Sequence, residues 1–247
     1  EAQIAANRKQ AALPGDYALL RSGYLNLGGA MPVGTAEFAA NLSYREKDTD
    51  AAFFVSKSYR NNVQTQVRHW LLTPRAKLPY SFGGATHALV TGIDIEDWDF
   101  QGVAGPSIVG RPDATQQGKA VYAQHTSVFS GGTSLALGAR GQRVTYGVED
   151  AANAAARAER RRNLHAHEIA LRQPLGGLWA AYGKVGRSFR VPNVNDNYSL
   201  FTATVALLEP QTARDREIGV EAARGSSRYR LALYEIELNN EIVFDPV

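Results

Sequence analysis

The sequence contains no cysteine among its 247 residues. Without thiols the chain can form neither a disulfide framework nor a thiolate metal site. It also lacks any run of about 18 apolar residues, so it encodes no membrane-spanning helix. This second absence does not make the chain soluble, because a strand that crosses a membrane alternates its faces and gives a weak hydropathy signal.

Charge of one sign and catalytic motifs are also lacking. Lys plus Arg number 27 and Asp plus Glu number 24, which leaves a net charge of only +3. The basic residues are spread out, which argues against nucleic acid as a partner. No glycine-rich phosphate loop ending in Lys-Ser or Lys-Thr occurs, and "GPSIVG" (105–110) does not match the G-x-S-x-G of a nucleophile elbow. We therefore expect neither enzyme activity nor a cofactor.

The dominant pattern in the sequence has a period of two. In "HALVTGIDIEDW" (87–98), Ile93 and Ile95 alternate with Asp94 and Glu96, as expected for a two-faced strand. The segments "TAEFAANLSYR" (35–45) and "TSLALGARGQ" (133–142) alternate in the same way. Seven further segments, near 17–29, 62–78, 117–129, 163–173, 178–188, 212–223 and 228–242, bring the number of predicted strands to ten. Helical periodicity occurs once, in the alanine-rich stretch 149–162.

The connections between the predicted strands alternate in length. Short turns rich in Gly, Pro or Ser, such as "PYSFGG" and "PLGG", are followed by long polar connections near 47–61, 99–116, 148–162 and 189–211. A soluble sandwich or propeller does not require this alternation, whereas a transmembrane barrel has tight periplasmic turns and long extracellular loops. Strands of about 13 residues, tilted by about 40°, rise roughly 33 Å and cover an apolar band of about 25 Å. The sequence thus predicts an all-β fold, an antiparallel transmembrane β-barrel portion.

Three segments carry a family resemblance. They are "YGKVGRSFRVPNVNDNY" (182–198), "LLEPQTARDREIGVEA" (207–222) and "YRLALYEIELNNEIVFDP" (229–246). Together they resemble the barrel of TonB-dependent outer-membrane receptors, which show G-x-S-F-R-x-P, then L-x-P-E/Q-x-S/T-x-x-x-E-x-G, then a strand ending in N-x-I. The matching residues are Gly186, Ser188, Phe189, Arg190 and Pro192, then Leu208, Pro210, Gln211, Thr212, Glu217 and Gly219, then Asn240 and Ile242.

The sequence departs from the family pattern in its extent. Family barrels have 22 strands around a plug, whereas ten strands and no plug domain or energy-coupling box are found here. The first residues also lack the apolar core of a secretory signal, and the closing aromatic strand is absent. We therefore expect residues 1–247 to be one partial barrel domain, from the middle-to-late part of the barrel.

The resemblance also implies ligand-binding residues. In such receptors, arginines and aromatic side chains of the apical loops bind the incoming chelate, and Arg187, Arg190 and Tyr198 lie at or just above the predicted outer rim. The alternative is that Arg190 holds loop backbone or pairs with an acidic neighbour such as Asp196.

Three other groups of residues have a possible chemistry, and a simpler interpretation of each is favoured. His165 and His167 form an H-x-H, but a metal site needs further ligands, so we predict no metal site. Asp94, Glu96 and Trp98 share one face and are interpreted as solvated lumen wall. "RAERRR" (157–162) is able to hold lipopolysaccharide phosphates, although a solvated loop is the simpler interpretation.

The leading functional hypothesis is TonB-dependent uptake of an iron chelate or similar scarce nutrient across the outer membrane of a Gram-negative bacterium. The implied partners are the small ligand, the TonB system through the missing plug, and outer-membrane lipid with lipopolysaccharide. A passive porin-like channel is the alternative. A barrel hydrolase is a third hypothesis; it requires a Ser–His pair at the lumen rim, for which His87 and His125 are the remaining bases.

Overall fold

Ten long strands make up one antiparallel sheet in the computed structural model, which describes residues 15–53, 55–56, 58–107, 109–199 and 204–243. The predicted all-β barrel portion is confirmed. The long strands are β1 (Tyr17–Val33), β2 (Ala36–Phe53), β3 (Asn61–Phe82), β4 (Ala85–Pro106), β5 (Pro112–Val128), β6 (Ser134–Asp150), β7 (Asn153–Gly176), β8 (Trp179–Arg190), β11 (Gln211–Arg224) and β12 (Ser227–Asn239).

Each long strand pairs with its neighbour in the chain, so the sheet is a simple meander. Its order is β1-β2-β3-β4-β5-β6-β7-β8-β11-β12, and within the described residues β1 and β12 are its two open edges. Between β8 and β11 the chain forms one helical turn, α1 (Val194–Asn197), and a small ribbon of β9 (Tyr198–Ser199) and β10 (Thr204–Val205). No helix in these ranges is long and apolar enough to cross a membrane.

Tight turns join the strands at one end of the sheet. The turns follow Val33, Phe82, Val128, Gly176 and Arg224, where the glycine-containing turns are predicted. Gly34 and Gly225 have φ of 63° and 59°, a left-handed conformation that glycine adopts without a Cβ clash. This end is the periplasmic end of a barrel, because short turns face the periplasm in such proteins.

The alanine-rich stretch 149–162, where the sequence shows helical periodicity and predicts a long polar connection, forms the tip of the β6–β7 hairpin instead. β6 continues to Asp150, the chain turns at residues 151–152, and β7 runs back from Asn153. Arg157 stands opposite Glu149, and their side chains approach to 3.6 Å. Alanine favours a helix by only a few tenths of a kcal/mol per residue over most other residues, so the backbone ladder with β6 overrides that preference.

The strands extend into the connections that were predicted to be long. β3 and β4 have 22 residues each and β7 has 24. Residues 47–53, 99–106 and 153–162 are therefore paired hairpin arms, and 191–210 is the long connection that leaves the main sheet. Strands of this length exceed a bilayer core, so their upper ends project outside the cell.

The two faces of the sheet differ in chemistry. Leu27, Leu42, Leu72 and Ile95 stand side by side on four neighbouring strands, and large apolar side chains on this outward face are exposed. The opposite, inner face holds Asp94, Glu96 and Trp98, as predicted, since strand neighbours alternate between faces. An apolar outer face and a polar inner face are typical of a membrane barrel.

Aromatic side chains border the apolar outer band. Tyr44 and Trp70 lie near its extracellular side with ring centroids 4.3 Å apart. Tyr80, His87 and His125 stack near its periplasmic side, with Tyr80 and His87 centroids 4.9 Å apart. Trp70 and Tyr80 are ten residues apart on one strand, which is about 25 Å along the normal at a tilt of about 40°. The band therefore has the height of a bilayer core.

Two glycines on the inner face make room for tyrosine rings. Tyr122 stands opposite Gly92, and a Cβ added to Gly92 would lie 2.6 Å from the Tyr122 hydroxyl and 2.7 Å from the carbonyl oxygen of Pro74. Tyr182 covers Gly219 in the same way. Such aromatic cover compensates for the weak strand preference of glycine.

We expect Gly92→Ala to destabilise the barrel, because the backbone oxygen of Pro74 cannot move aside for the new methyl group. Overpacking of this kind costs about 1–3 kcal/mol. The measurement is the temperature at which protein extracted from outer membranes loses its folded, fast-migrating band on an unheated gel.

Gly138→Ala is the matched control, since a Cβ at Gly138 meets nothing within 4 Å. Equal unfolding temperatures for the two variants would contradict the packing role of Gly92.

Candidate ligand-binding wall and its covering loop

Paired charges line the inner face of β3 to β6. Arg140 forms an ion pair with Asp94 and donates to the Gln142 side-chain oxygen at 3.0 Å. His69 Nε2 lies 2.9 Å from a carboxylate oxygen of Glu96. His69 and Glu96 lie on the neighbouring strands β3 and β4, and Arg140 reaches Asp94 across β5, so the inner wall is polar where the outer face is aliphatic.

A second cluster of charges lies on β7, β8 and β11. Lys184 Nζ is 3.9 Å from Glu168, 3.6 Å from Asp215 and 3.8 Å from Glu217. Oδ2 of Asp215 is buried and, among the described residues, has no hydrogen-bond partner. One lysine therefore faces three carboxylates, and this part of the wall has unused capacity to accept hydrogen bonds.

An open groove of about 610 Å³ runs along the wall between these two clusters. Its lining includes Arg75, Asp94, Tyr122, Arg140, Glu168 and Asp215. Cations and carboxylates both line it. A polar small molecule with anionic oxygens and hydrogen-bond donors is the kind of ligand that such a surface can bind.

The described parts of the connection between β8 and β11, residues 191–199 and 204–210, fold back over the upper part of the inner face. The hydroxyl group of Tyr146 donates to the Leu208 carbonyl oxygen at 2.7 Å, and Arg160 donates to the Leu207 carbonyl oxygen at 2.7 Å. Arg162 donates two hydrogen bonds to the Glu209 carboxylate, the longer at 2.8 Å. This charge-assisted pair holds the pKa of Glu209 below its usual value.

Apolar side chains hold the same loop from below. One buried cluster consists of Phe100, Ala114, Val148 and Tyr198, and a second of Val144, Tyr146 and Leu164. Leu207 packs against both clusters. The loop is thus a covering loop, packed like a small core on the extracellular end of the wall.

A buried carboxylate holds the base of the covering loop. Asp150 accepts hydrogen bonds from the Tyr198 hydroxyl group at 2.8 Å and from the backbone amides of Arg111 and Ala152 at 2.8 and 2.9 Å. Burial of Asp150 favours its neutral form, but these donors outweigh that effect and hold its pKa below the usual value. Burial and the hydrogen bond to Asp150 raise the pKa of Tyr198. The pair therefore stays Asp⁻ with neutral Tyr near neutral pH.

The three predicted ligand-binding residues are not brought together. Tyr198 is 4% exposed in the covering loop. Arg190 lies at the inner rim and pairs with Asp196 at 3.1 Å, which is the alternative that the sequence left open. Arg187 is exposed on the outward face opposite Arg214. Ligand contact by the three residues stays a prediction.

The alternation of side chains along β7 decides on which face of the sheet the candidate histidines and arginines lie. His165 and His167 point outward, opposite Gly141 and Ala139, and the described part of the chain contains no metal-sized group of three or more His, Asp or Glu. Within "RAERRR", Arg161 faces outward whereas Arg160 and Arg162 face inward to Glu209.

The histidines considered for hydrolysis lie on the outward face. His87 Nδ1 is 2.9 Å from the Ser127 hydroxyl oxygen, and His125 Nε2 is 2.8 Å from the Tyr80 hydroxyl oxygen. The other ring nitrogen of His87, Nε2, lies 3.3 Å from the carbonyl oxygen of Phe82, a backbone group instead of a carboxylate. The Ser–His contact is thus at the periplasmic border of the apolar band, away from the lumen rim that a barrel hydrolase requires.

Some functional residues were within reach of the sequence and others were not. Arg140 lies two residues from Gln142 on β6, and Lys184 lies four residues from Ser188 on β8. Because side chains alternate along a strand, each residue shares the inner face with that polar neighbour. Asp150 and Glu209 carry no such signal. Asp150 meets Tyr198, 48 residues away, and Glu209 meets Arg162, 47 residues away. Only the folded loop reveals these contacts.

The fold and the wall define an outer-membrane β-barrel: a meander of long strands, aliphatic outside and charged inside. A family model described as "TonB dependent receptor-like, beta-barrel" matches residues 6–247. The chain therefore belongs to this family, whose members are receptors and transporters of the Gram-negative outer membrane and work with TonB. No sequence among the curated proteins matches it.

Solved structures show the same fold. The unliganded ferric citrate transporter FecA has a TM-score of 0.77 at 16% identity, covering 99% of this chain and 38% of its own. The ferric yersiniabactin uptake receptor FyuA of Yersinia pestis has a TM-score of 0.73 at 12% identity, covering 93% and 37%. The hemophore receptor HasR of Serratia marcescens, in complex with HasA and heme, has a TM-score of 0.72 at 14% identity; the match covers 92% of this chain and 42% of HasR. The chain thus spans about two fifths of each of these structures.

We expect Tyr198→Phe to loosen the covering loop, because the hydroxyl hydrogen bond to buried Asp150 is lost. The loss costs about 1 kcal/mol, or about fivefold in the fraction of open loop. Since the chain has no cysteine, Leu207→Cys provides a single site whose maleimide labelling rate reports loop opening.

The control is Tyr234→Phe, which removes a hydroxyl group from a side chain that is 75% exposed on β12. If Tyr198→Phe leaves the labelling rate at position 207 unchanged, the Asp150–Tyr198 contact does not hold the loop.

Proposed function

We propose that the chain is part of an outer-membrane importer that takes up an iron chelate or a similar scarce nutrient by TonB-dependent transport. The observation that carries the proposal is the charged inner groove beneath a packed extracellular loop, on a sheet whose outer face is aliphatic. The family membership supports it, as do neighbours whose names state ferric citrate transport, ferric yersiniabactin uptake and binding of a hemophore with heme.

The chain would form part of a larger barrel. Residues 1–247 would be one partial barrel domain, and further strands would continue the sheet from the open edges at β1 and β12. A plug inside the completed barrel would connect the ligand site to the TonB system. The coverage of about two fifths of the neighbouring structures supports a partial barrel.

In this mechanism the ligand first meets the extracellular rim. Arg190, whose side chain is 49% exposed beside the covering loop, attracts the anionic chelate, and Asp196 keeps the guanidinium group in place. The ligand then enters the groove, where Arg75 and Arg140 offer positive charge beside carboxylates that accept hydrogen bonds. Tyr198 contributes by holding the loop, and Arg187, on the outward face, faces lipid.

The outer surface is proposed to contact outer-membrane lipid and lipopolysaccharide. The aliphatic band faces acyl chains, and the outward arginines of 157–162, Arg157 and Arg161, lie above it.

We expect uptake to require energy. Cells lacking their own receptors and expressing the complete reading frame should accumulate radiolabelled iron when supplied with ferric citrate, a ferric catecholate or haem as separate probes. Deletion of TonB or collapse of the proton gradient should abolish the accumulation, because the plug is moved only by the inner-membrane complex. Uptake that continues without TonB would identify the passive porin-like channel instead.

A substitution at Arg190 tests its contact with the ligand without changing the fold. Arg190→Gln should raise the half-saturation concentration for the transported complex about tenfold, because a charge-assisted contact is worth about 1.4 kcal/mol. Arg228→Gln, an exposed arginine at the periplasmic end of β12, is the control. Equal uptake curves for both would remove Arg190 from the ligand path.

A further inference from the structure

Four side chains form a row across the inner face of β1 to β4. Tyr24 on β1 stands opposite Arg45 on β2. Arg45 in turn stands opposite His69 on β3, and His69 stands opposite Trp98 on β4. Because strands lie about 4.8 Å apart, the row is about 14 Å wide. We call it the inner ledge: two aromatic side chains with an arginine and a histidine between them.

The inner ledge begins where the covering loop ends. The same register row continues from Trp98 through Gln116 to Tyr146 and Arg160, and the last two donate to carbonyl oxygens of the loop. Trp98 packs against the buried cluster beneath the loop. Tyr24, at the other end of the ledge, is 80% exposed. Within the described ranges, the ledge therefore lies open beside the loop.

The inner ledge has surplus positive charge. Arg45 and Lys47, the next inward residue of β2, have no ion-pair partner among the described residues. The carboxylate of Glu96 lies 2.9 Å from His69 Nε2 and fixes the orientation of that ring. Arg75, six residues from His69 on the same face of β3, lines the groove below. Positive charge thus continues from the ledge into the groove.

We propose that the inner ledge binds an anionic chelate with aromatic rings, such as iron held by catecholate or phenolate oxygens. The rings would stack on Tyr24 and Trp98, and the guanidinium group of Arg45 would donate to the anionic oxygens. A neutral chelate would leave the cations without a partner, and an anion without rings would leave both aromatic faces uncovered. The inference rests on the proposed uptake of a chelate and names its chemical class.

The test uses the complete protein, purified from outer membranes in detergent and freed of bound ligand. Equilibrium dialysis with radiolabelled iron measures the affinity for three probes. Ferric catecholate is anionic and aromatic, ferric citrate is anionic without rings, and ferric acetohydroxamate is neutral without rings. Ferric catecholate should bind at least tenfold more tightly than either of the other two.

Substitutions separate the charge from the rings. Arg45→Gln/Lys47→Gln should weaken binding of ferric catecholate at least tenfold, because charge-assisted contacts are lost. Tyr24→Leu should weaken it about fivefold and leave ferric citrate unchanged, because only a ring stacks on Tyr24. Trp98 is kept, since it also packs under the covering loop. Arg21→Gln, which removes an exposed arginine from the outward face of the same strand as Tyr24, is the control and should bind like the parent.

The outcomes distinguish this proposal from the proposed function. Equal affinity of the double variant and Arg21→Gln, or equal binding of ferric catecholate and ferric acetohydroxamate, would overturn the inner ledge. Iron uptake that depends on TonB would still stand in either case, because it is measured separately in cells. Binding of none of the three probes would overturn the ledge and the chelate as ligand together. Unheated gel mobility verifies that each variant is folded.

Discussion

Backbone hydrogen bonding in a medium without water is the constraint on which this structure depends. An unpaired amide in hydrocarbon costs several kcal/mol, so a chain without apolar helices crosses a membrane only as paired strands. The ladders that join the strands from β1 to β12 meet this requirement along most of their length, with a break at Thr73 and Pro74 in β3 and register shifts near Glu149 and Pro174. Once the strands are paired, alternation sends neighbouring residues to opposite faces, and a single segment such as 87–98 faces lipid with Ile93 and the lumen with Asp94.

The inner face is charged because it is shielded from lipid. Its groups are arranged as pairs, such as Arg140 with Asp94, which lowers the cost of holding them on a wall that a ligand or other protein segments can cover. The covering loop uses the same chemistry at the rim. Asp150 accepts hydrogen bonds from Arg111 just before β5, from the β6–β7 turn and from the loop itself, and Glu209 binds arginines of β7. The arrangement leaves cations such as Lys184 close to several carboxylates, a surface suited to polar ligands instead of apolar ones.

Local pattern explains what could be predicted from the sequence. The alternation in 35–45, 87–98 and 133–142 reflects the two environments on either side of the sheet, and the glycines mark the turns. The number of strands and the face on which a residue lies could therefore be predicted. The stretch 149–162 misled because alanine favours a helix in isolation, whereas pairing with β6 decides the outcome. The site was harder: Tyr198 looks like an apical aromatic in the sequence, but its partner Asp150 is distant along the chain, and no local signal links them.

The central claim is that this sheet stands in a membrane with one lipid face and one aqueous face. Single cysteines at positions 93 and 94, introduced into the complete protein in outer-membrane vesicles, test it most directly. We predict that a cysteine replacing Asp94 reacts with a membrane-impermeant maleimide, and that one replacing Ile93 reacts only with a lipid-soluble reagent. The reverse labelling, or equal labelling by the water-soluble reagent, would contradict the account.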